Sequence, residues 1–212
     1  MLYVPMITRR AVRRGFGAIS ALASILALAC LNSAQHTPVQ SAWSRGNFAI
    51  AGLETQSSTL ADVQRILGAN EPHVLGDGSE ARTVICFFLP SEKQVIFFET
   101  DASVPRHGQL TAFGFSYEED YDQIRLCGKY TGPIDVHTQS GIFLGMTRDA
   151  FLRVLGATTL LTSGVAEPVD NDVRIELIGL NVFILLRARF AGQEARGGVL
   201  RYFYAKRTPA LQ

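Results

Sequence analysis

Side chains that could carry out catalysis are few and scattered along this sequence. None of the four histidines has a second histidine at i+4 with a glutamate between them, which is the spacing of a helical metal site. The histidines are His36, His73, His107 and His137. No Gly-x-Ser-x-Gly elbow, P-loop or Rossmann glycine pattern occurs. We therefore predict no catalytic residue, no metal site and no cofactor, and expect that the protein is not an enzyme.

Two carboxylates support an alternative hypothesis, that the protein is an enzyme. Glu99 and Asp101 flank Thr100 and could act as an acid–base pair, although such catalysis needs a separation that a sequence does not display. A small envelope hydrolase that uses these carboxylates, or a loop histidine such as His107, is therefore kept as a second hypothesis. The acidic run Glu118–Asp122 lacks the spaced oxygen ligands and glycine turn of a calcium loop, so we expect a solvated face or linker.

The three cysteines suggest a disulfide and a lipidation site. Cys86 and Cys127 form an even pair, which in an oxidising compartment predicts a structural disulfide. A redox or metal pair would need close spacing or neighbouring histidines, and neither is present. Cys30 follows Leu26–Ala29 in an arrangement that resembles a lipobox, so lipidation of Cys30 is the one membrane attachment that we consider. Cleavage after Ala34 would instead remove Cys30.

The N-terminus predicts export. A basic region precedes an apolar stretch, Gly15–Ala29, and small residues follow, which is the layout of a secretory signal peptide over residues 1–34. The basic residues are Arg9, Arg10, Arg13 and Arg14. Arg13–Phe16 also resembles a twin-arginine export motif, so the export route stays open. We expect a periplasmic or envelope-associated protein in which residues 35–47 form a tether.

Composition limits the partners. Of the 212 residues, 47% are hydrophobic and 18% are charged, which is typical of a globular protein. The net charge of +1 gives no basic excess for nucleic acid, so we expect no nucleic-acid partner.

The elements of the exported part fall into two similar series. A capped helix over Leu60–Leu67 and a second helix that starts at Thr147 each precede three strand-like segments rich in β-branched and aromatic residues. The predicted strands are Arg82–Leu89, Gln94–Thr100, Leu110–Tyr117, Asp172–Ile178, Val182–Phe190 and Val199–Ala205.

A constant offset of 88 residues relates the two series. It matches Thr59 with Thr147, Ile96 with Ile184 and Phe115 with Phe203. The fold class that this predicts is α+β, as two tandem repeats of one or two short helices followed by a three- to four-stranded antiparallel sheet. The predicted domains are a first repeat over 48–122, a linker over 123–136 and a second repeat over 137–207.

Aromatic residues crowd the predicted strands. Adjacent residues such as Phe97 and Phe98 must point to opposite sheet faces, and the helices can cover only one of these faces. The other face is either buried between repeats or protomers, or exposed to a partner. The candidate interface residues are Phe97, Phe113, Phe115, Tyr117, Tyr202 and Tyr204.

A family resemblance adds to this interpretation. The segment Gly141–Thr147, followed by Phe151–Gly156, resembles the opening motif of the SmpA/OmlA outer-membrane assembly lipoprotein domain. The duplication is similar to the tandem repeats of the β-lactamase-inhibitor-protein fold. The resemblance implies helices on one face of an antiparallel sheet and a non-catalytic binding role, with another envelope or secreted protein as partner. Its narrower form is an outer-membrane lipoprotein that assists β-barrel assembly. The first repeat departs from the motif, with Ser57 and Ser58 before Thr59, and no binding residue of either family can be carried over.

Overall fold

A computed structural model describes residues 45–101, 108–156, 166–169, 172–178, 182–192 and 198–209. The predicted signal peptide, Cys30, His36 and His107 lie outside these ranges. Within them, no helix has the length and apolar character needed to cross a membrane.

The described chain is α+β, with two short helices and mostly antiparallel strands. The helices are α1 (Leu60–Leu67) and α2 (Arg148–Val154). The strands are β1 (Ala49–Ile50), β2 (Leu53–Glu54), β3 (His73–Leu75), β4 (Arg82–Leu89), β5 (Gln94–Asp101), β6 (Ala112–Tyr117), β7 (Gly128–Lys129), β8 (Ala166–Val169), β9 (Asp172–Ile178), β10 (Val182–Ala191) and β11 (Val199–Pro209). The predicted bounds of α1, β4 and β9 are confirmed, while β11 runs four residues beyond its predicted end.

One continuous sheet holds both series of strands. Its order is β3-β4-β5-β6-β11-β10-β9-β8, with β7 beside β4, and β1–β2 forms a separate hairpin. The sequence predicts one sheet for each repeat, whereas β6 and β11 pair directly and join the halves. This pairing gives hydrogen-bonding partners to backbone groups that two separate sheets would leave on unpaired edges.

The two helices begin in the same way. The Thr59 hydroxyl accepts a hydrogen bond from the Asp62 backbone amide at 3.2 Å, and the Thr147 hydroxyl accepts one from the Ala150 amide at 3.2 Å. The Asp62 carboxylate also accepts from the Thr59 amide at 3.0 Å, which completes a capping box. Hydrogen bonds from Arg65 and Thr59 lower the pKa of Asp62 to about 2.

Each helix is also hydrogen-bonded to the segment just before a strand at the centre of the sheet, which is β6 for α1 and β11 for α2. The Leu60 amide donates to the Gly108 carbonyl, and the Arg148 amide donates to the Gly198 carbonyl, both at 3.0 Å. These bonds hold the first turn of each helix over the sheet.

The constant offset of 88 residues is wrong for β10. Phe115 and Phe203 face each other across the β6–β11 junction. Ile96 pairs with Phe115, but Ile184 pairs with Arg207 and not with Phe203. The β10–β11 pairing is therefore shifted by four residues relative to the β5–β6 pairing. A bulge between Arg189 and Phe190 accounts for part of the shift, because a bulge sets two residues against one.

The main core lies between the helices and one face of the sheet. Its apolar side chains include Val63 of α1 and Phe151 of α2, both 1% exposed or less. Phe113 and Phe115 belong to this core and are 1% and 0% exposed. Their expected place at an interface is therefore wrong, because the helices cover the face to which they point.

The predicted tether and linker are partly built into the fold. Residues 45–48 form a 3-10 turn in which Asn47 and Phe48 are fully buried, so the folded part begins before residue 48. In the linker, Ile124–Leu126 forms another 3-10 turn and β7 pairs in parallel with β4. The segment between the halves thus packs onto the sheet.

Candidate functional site

The sheet face opposite the helices, which we call the outer face, carries the site. Strand register places its side chains in rows. One row runs Cys86, Phe97, Gly114, Tyr204, Arg187 and Arg174 across β4, β5, β6, β11, β10 and β9. The character of the row changes along its length, from apolar on β4 and β5 to tyrosine on β11 and arginine on β10 and β9.

A strap formed by residues 118–129 covers the first half of the outer face. The Tyr121 ring stacks on the Phe97 ring at a centroid distance of 5.0 Å. At the end of the strap, the Cα atoms of Cys127 and Cys86 lie 4.7 Å apart, within the range that a disulfide requires. The structure therefore places the two cysteines where the predicted bond can form.

Arg201 anchors the acidic part of the strap. Its guanidinium pairs with the carboxylates of Glu119 and Asp120, the latter at 3.0 Å, and lies 4.4 Å from the centre of the Tyr117 ring. The acidic run is thus attached to β11 and is not simply a solvated face. Tyr117 lies beneath the Arg201 guanidinium and packs against the main core, away from the outer face.

A layer of stacked aromatic rings lies beside the strap. The rings of Tyr202 and Tyr204 each lie 6.3 Å from the Phe97 ring, with interplanar angles of 28° and 21°. Gly114 leaves room for Phe97, because a Cβ atom at residue 114 would lie 2.3 Å from the Phe97 Cζ atom. Phe97 itself is 3% exposed, so its expected interface role is also wrong. Tyr202 and Tyr204 are half-buried and remain candidates.

Both tyrosines keep their hydroxyl protons. Burial, followed by the charge of Glu99, raises the pKa of Tyr202 to about 12 and raises the pKa of Tyr204 still further. The two hydroxyls are therefore hydrogen-bond donors at physiological pH.

An arginine cluster extends the outer face over β9 and β10. The side chains of Arg174, Arg187 and Arg189 are 56%, 47% and 49% exposed. The Asp172 carboxylate lies 3.7 Å from Arg187 and 3.3 Å from Arg189. The Arg189 guanidinium is 5.8 Å from the centre of the Tyr202 ring, within cation–π range. This cluster was not among the predicted site residues, although Arg187 and Arg189 alternate in sequence as residues on one face of a strand do.

A polar cavity of about 300 Å³ opens on the outer face at the other end of the tyrosines. The Glu99 side chain is 10% exposed, its carboxylate accepts a hydrogen bond from the Tyr204 hydroxyl at 3.0 Å, and the Arg82 Nε atom lies 3.4 Å away. Burial raises the pKa of Glu99, and the charges of Arg82 and Lys206 and the Tyr204 hydrogen bond oppose that rise. The remaining lining residues are Glu80, Asp101 and Thr111.

The structure brings only part of the predicted carboxylate chemistry together. Glu99 and Asp101 line the same cavity, and the Asp101 carboxylate pairs with the Lys206 ammonium at 3.0 Å. His107 lies outside the described residues. The residues recorded around this cavity include no histidine, serine or cysteine.

The two described histidines, His73 and His137, have structural surroundings. The His73 Nε2 atom lies 3.2 Å from the Leu126 carbonyl, and His137 pairs with Asp135 at 2.7 Å. His137 lines a groove of about 680 Å³ between the β1–β2 hairpin, the end of α1 and residues 130–139. In the part of the chain that the structure describes, no three histidine, cysteine or carboxylate side chains are grouped to hold a metal ion.

No protein-family model matches this chain, and neither does a curated protein or a solved structure. The resemblance to envelope lipoprotein and inhibitor domains therefore stays a prediction, and the proposals below rest on the outer face alone.

Proposed function

We propose that this chain is an exported, non-enzymatic protein-binding module of two α+β repeats, and that it binds another envelope or secreted protein through the outer face. The observation that carries the proposal is the row in which half-buried Tyr204 adjoins half-exposed Arg187 and Arg174. Tyrosine and arginine are the side chains in which protein interfaces are enriched and which dominate their binding energy.

The charge arrangement favours a partner that presents carboxylates. Arg187 and Arg174 are direct register partners on neighbouring strands, and like charges at such positions destabilise a sheet. Asp172 and Glu176 pair with these arginines, and the register also places Glu167 of β8 opposite Arg174. A carboxylate from a partner can bind two guanidinium N–H groups at once, which would relieve the repulsion and fix the orientation of the complex.

Similar hydrogen bonds at the starts of the two helices support the repeat hypothesis. Each helix has a threonine cap. The first backbone amide of each helix donates to a carbonyl just before β6, in the case of α1, or just before β11, in the case of α2. We propose duplication with later divergence of the β10–β11 register. The predicted signal peptide and the placement of Cys86 and Cys127 support export. The lipoprotein form of the proposal depends on Cys30, and intact-mass measurement of the mature N-terminus would distinguish a lipidated Cys30 from cleavage after Ala34.

The test of the binding proposal is a comparison of two charge-reversal variants. One carries Arg187→Glu and Arg189→Glu on the outer face, and the other carries Arg65→Glu and Arg153→Glu on the helices. Each variant has the same change in net charge. We expect a partner purified with the wild type from envelope extracts to be lost from the first variant and retained by the second. Equal retention by both variants would contradict the assignment of the outer face.

The hydrolase hypothesis has one observation in its favour, which is the buried Glu99 carboxylate in a solvent-accessible cavity. A carboxyl group with a raised pKa can serve as a general acid. Against this, Tyr204 and Arg82 already engage both Glu99 oxygens. Hydrolysis of ester, amide or glycoside reporters by the wild type, with loss of that activity in Glu99→Gln, would favour the hydrolase over the binding module.

A further inference from the structure

We propose that the cavity at Glu99 is a binding site for an organic cation, namely an alkylammonium or guanidinium group. This site is separate from the arginine cluster and does not rest on the proposed function. Its ligand is either a small free amine or the lysine or arginine side chain of another protein, and both present the same chemistry to the cavity.

The charges that line the cavity favour a cation. Among the described lining residues, three carboxylates, Glu80, Glu99 and Asp101, accompany two basic groups, Arg82 and Lys206, so these five groups carry one net negative charge when all are ionised. Lys206 pairs with Asp101 at 3.0 Å, and its charge also favours the ionised form of Glu99.

Glu99 is incompletely neutralised for a buried carboxylate. Buried charges are ordinarily paired and fully hydrogen-bonded, because the cost of desolvation is otherwise uncompensated. The Arg82 Nε atom lies 3.4 Å from the Glu99 carboxylate, and the Arg82 side chain remains 46% exposed. The raised pKa of Glu99 agrees with this partial neutralisation. An entering cation can supply the compact charge that Arg82 does not.

The cavity also offers the contacts that distinguish an organic cation from a simple ion. Tyr204 is one of the lining residues, and aromatic rings attract ammonium and guanidinium groups. The Tyr204 hydroxyl already fixes one Glu99 oxygen, at 3.0 Å, which orients the carboxylate toward the cavity. A volume of about 300 Å³ accommodates the end of a lysine or arginine side chain or a small amine.

The experiment titrates methylammonium chloride or guanidinium chloride into the protein as the cell exports it. Ionic strength is kept constant and guanidinium is kept well below denaturing concentrations. Backbone amide NMR shifts of residues 99–101 and 204–206 report binding at the cavity. We expect saturable shifts with both cations and none with tetramethylammonium, which lacks an N–H donor for Glu99.

Three variants test whether the cation binds at the Glu99 cavity. Glu99→Gln should weaken binding by more than about tenfold, because it removes the charge that pairs with the ligand. Arg82→Gln should tighten binding several-fold, because it removes the competing cation and leaves a half-exposed position that tolerates the change. Arg153→Gln, an identical charge removal on α2, should leave the affinity unchanged. Weaker binding in Arg82→Gln would overturn the proposal even if Glu99→Gln failed to fold.

A final arm separates the two sources of the cation. A glycine-flanked lysine peptide and its acetyl-lysine counterpart are titrated in the same way. Tighter binding of the lysine peptide than of methylammonium identifies a protein side chain as the ligand, and the reverse order identifies a small amine. Absence of saturable shifts with every probe would overturn the proposal. The Arg187→Glu and Arg189→Glu variant should still bind the cation, so loss of the proposed partner and loss of this site are distinguishable.

Discussion

Removal of the predicted disulfide should be the most damaging single covalent change to this fold. The perturbation is the double substitution Cys86→Ala and Cys127→Ala. The two cysteines are separated by 41 residues, and closure of a loop of that length stabilises a protein by about 4 kcal/mol in the chain-entropy model. For a protein of this size, such a loss corresponds to a decrease in Tm of about 8–16 °C.

When the disulfide is removed, the strap should unfold before the rest of the sheet. Without the bond, its end is held by the short β7 pairing, the stacking of Tyr121 on Phe97 and the ion pairs of Arg201. Urea unfolding of the oxidised protein, the reduced protein and the double variant measures the free energy of unfolding, and limited proteolysis locates the first cleavage. We expect cleavage within residues 118–129 in the reduced protein. Two free thiols in protein purified without reductant, or equal stability of all three forms, would refute the reasoning.

Three further predictions concern single residues. Because burial raises the pKa of Glu99 above its ordinary 4.5, the folded state holds that proton more tightly than the unfolded state. The stability due to protonated Glu99 is thus fully present below pH 4.5 and lost as pH rises through the folded pKa. Glu99→Gln should gain stability relative to the wild type between pH 4.5 and neutrality, and parallel unfolding curves would contradict this. Thr59→Ala and Thr147→Ala should each cost about 1 kcal/mol of unfolding free energy, because each removes a helix cap, and an unchanged urea midpoint would count against the caps. Gly114→Ala should cost about 1–3 kcal/mol, since its Cβ would lie 2.3 Å from Phe97 Cζ, and wild-type thermal stability would show that the ring can move aside.

Local features of the chain were predictable from the sequence. The bounds of α1 follow from Thr59, Asp62 and Gly68, which cap and end the helix through contacts within a few residues. The bounds of β4 follow from its run of β-branched and aromatic residues and from Pro90, which lies just beyond its end. Such elements carry their own start and stop residues.

Features that depend on distant pairing were not predictable. The short strands β3, β7 and β8 form only because longer strands lie beside them. The exposure of Phe113 and Phe115 depended on which face the helices cover, and strand alternation alone does not decide this. The Glu99 cavity also needed the β6–β11 junction, which brings Tyr204 and Lys206 of one half to the carboxylates of the other.

Site-specific photo-crosslinking tests the central claim, that the outer face binds a protein partner, most directly. A photoreactive residue at position 185 lies on the outer face, where Leu185 pairs with Lys206 and Glu176, and it leaves the tyrosines and arginines intact. The matched control places the same residue at exposed Ala61 on α1. We predict that one envelope protein crosslinks at position 185 but not at position 61, and that Arg187→Glu with Arg189→Glu abolishes the adduct. Equal crosslinking at both positions, or an adduct that survives the charge reversal, would contradict the account.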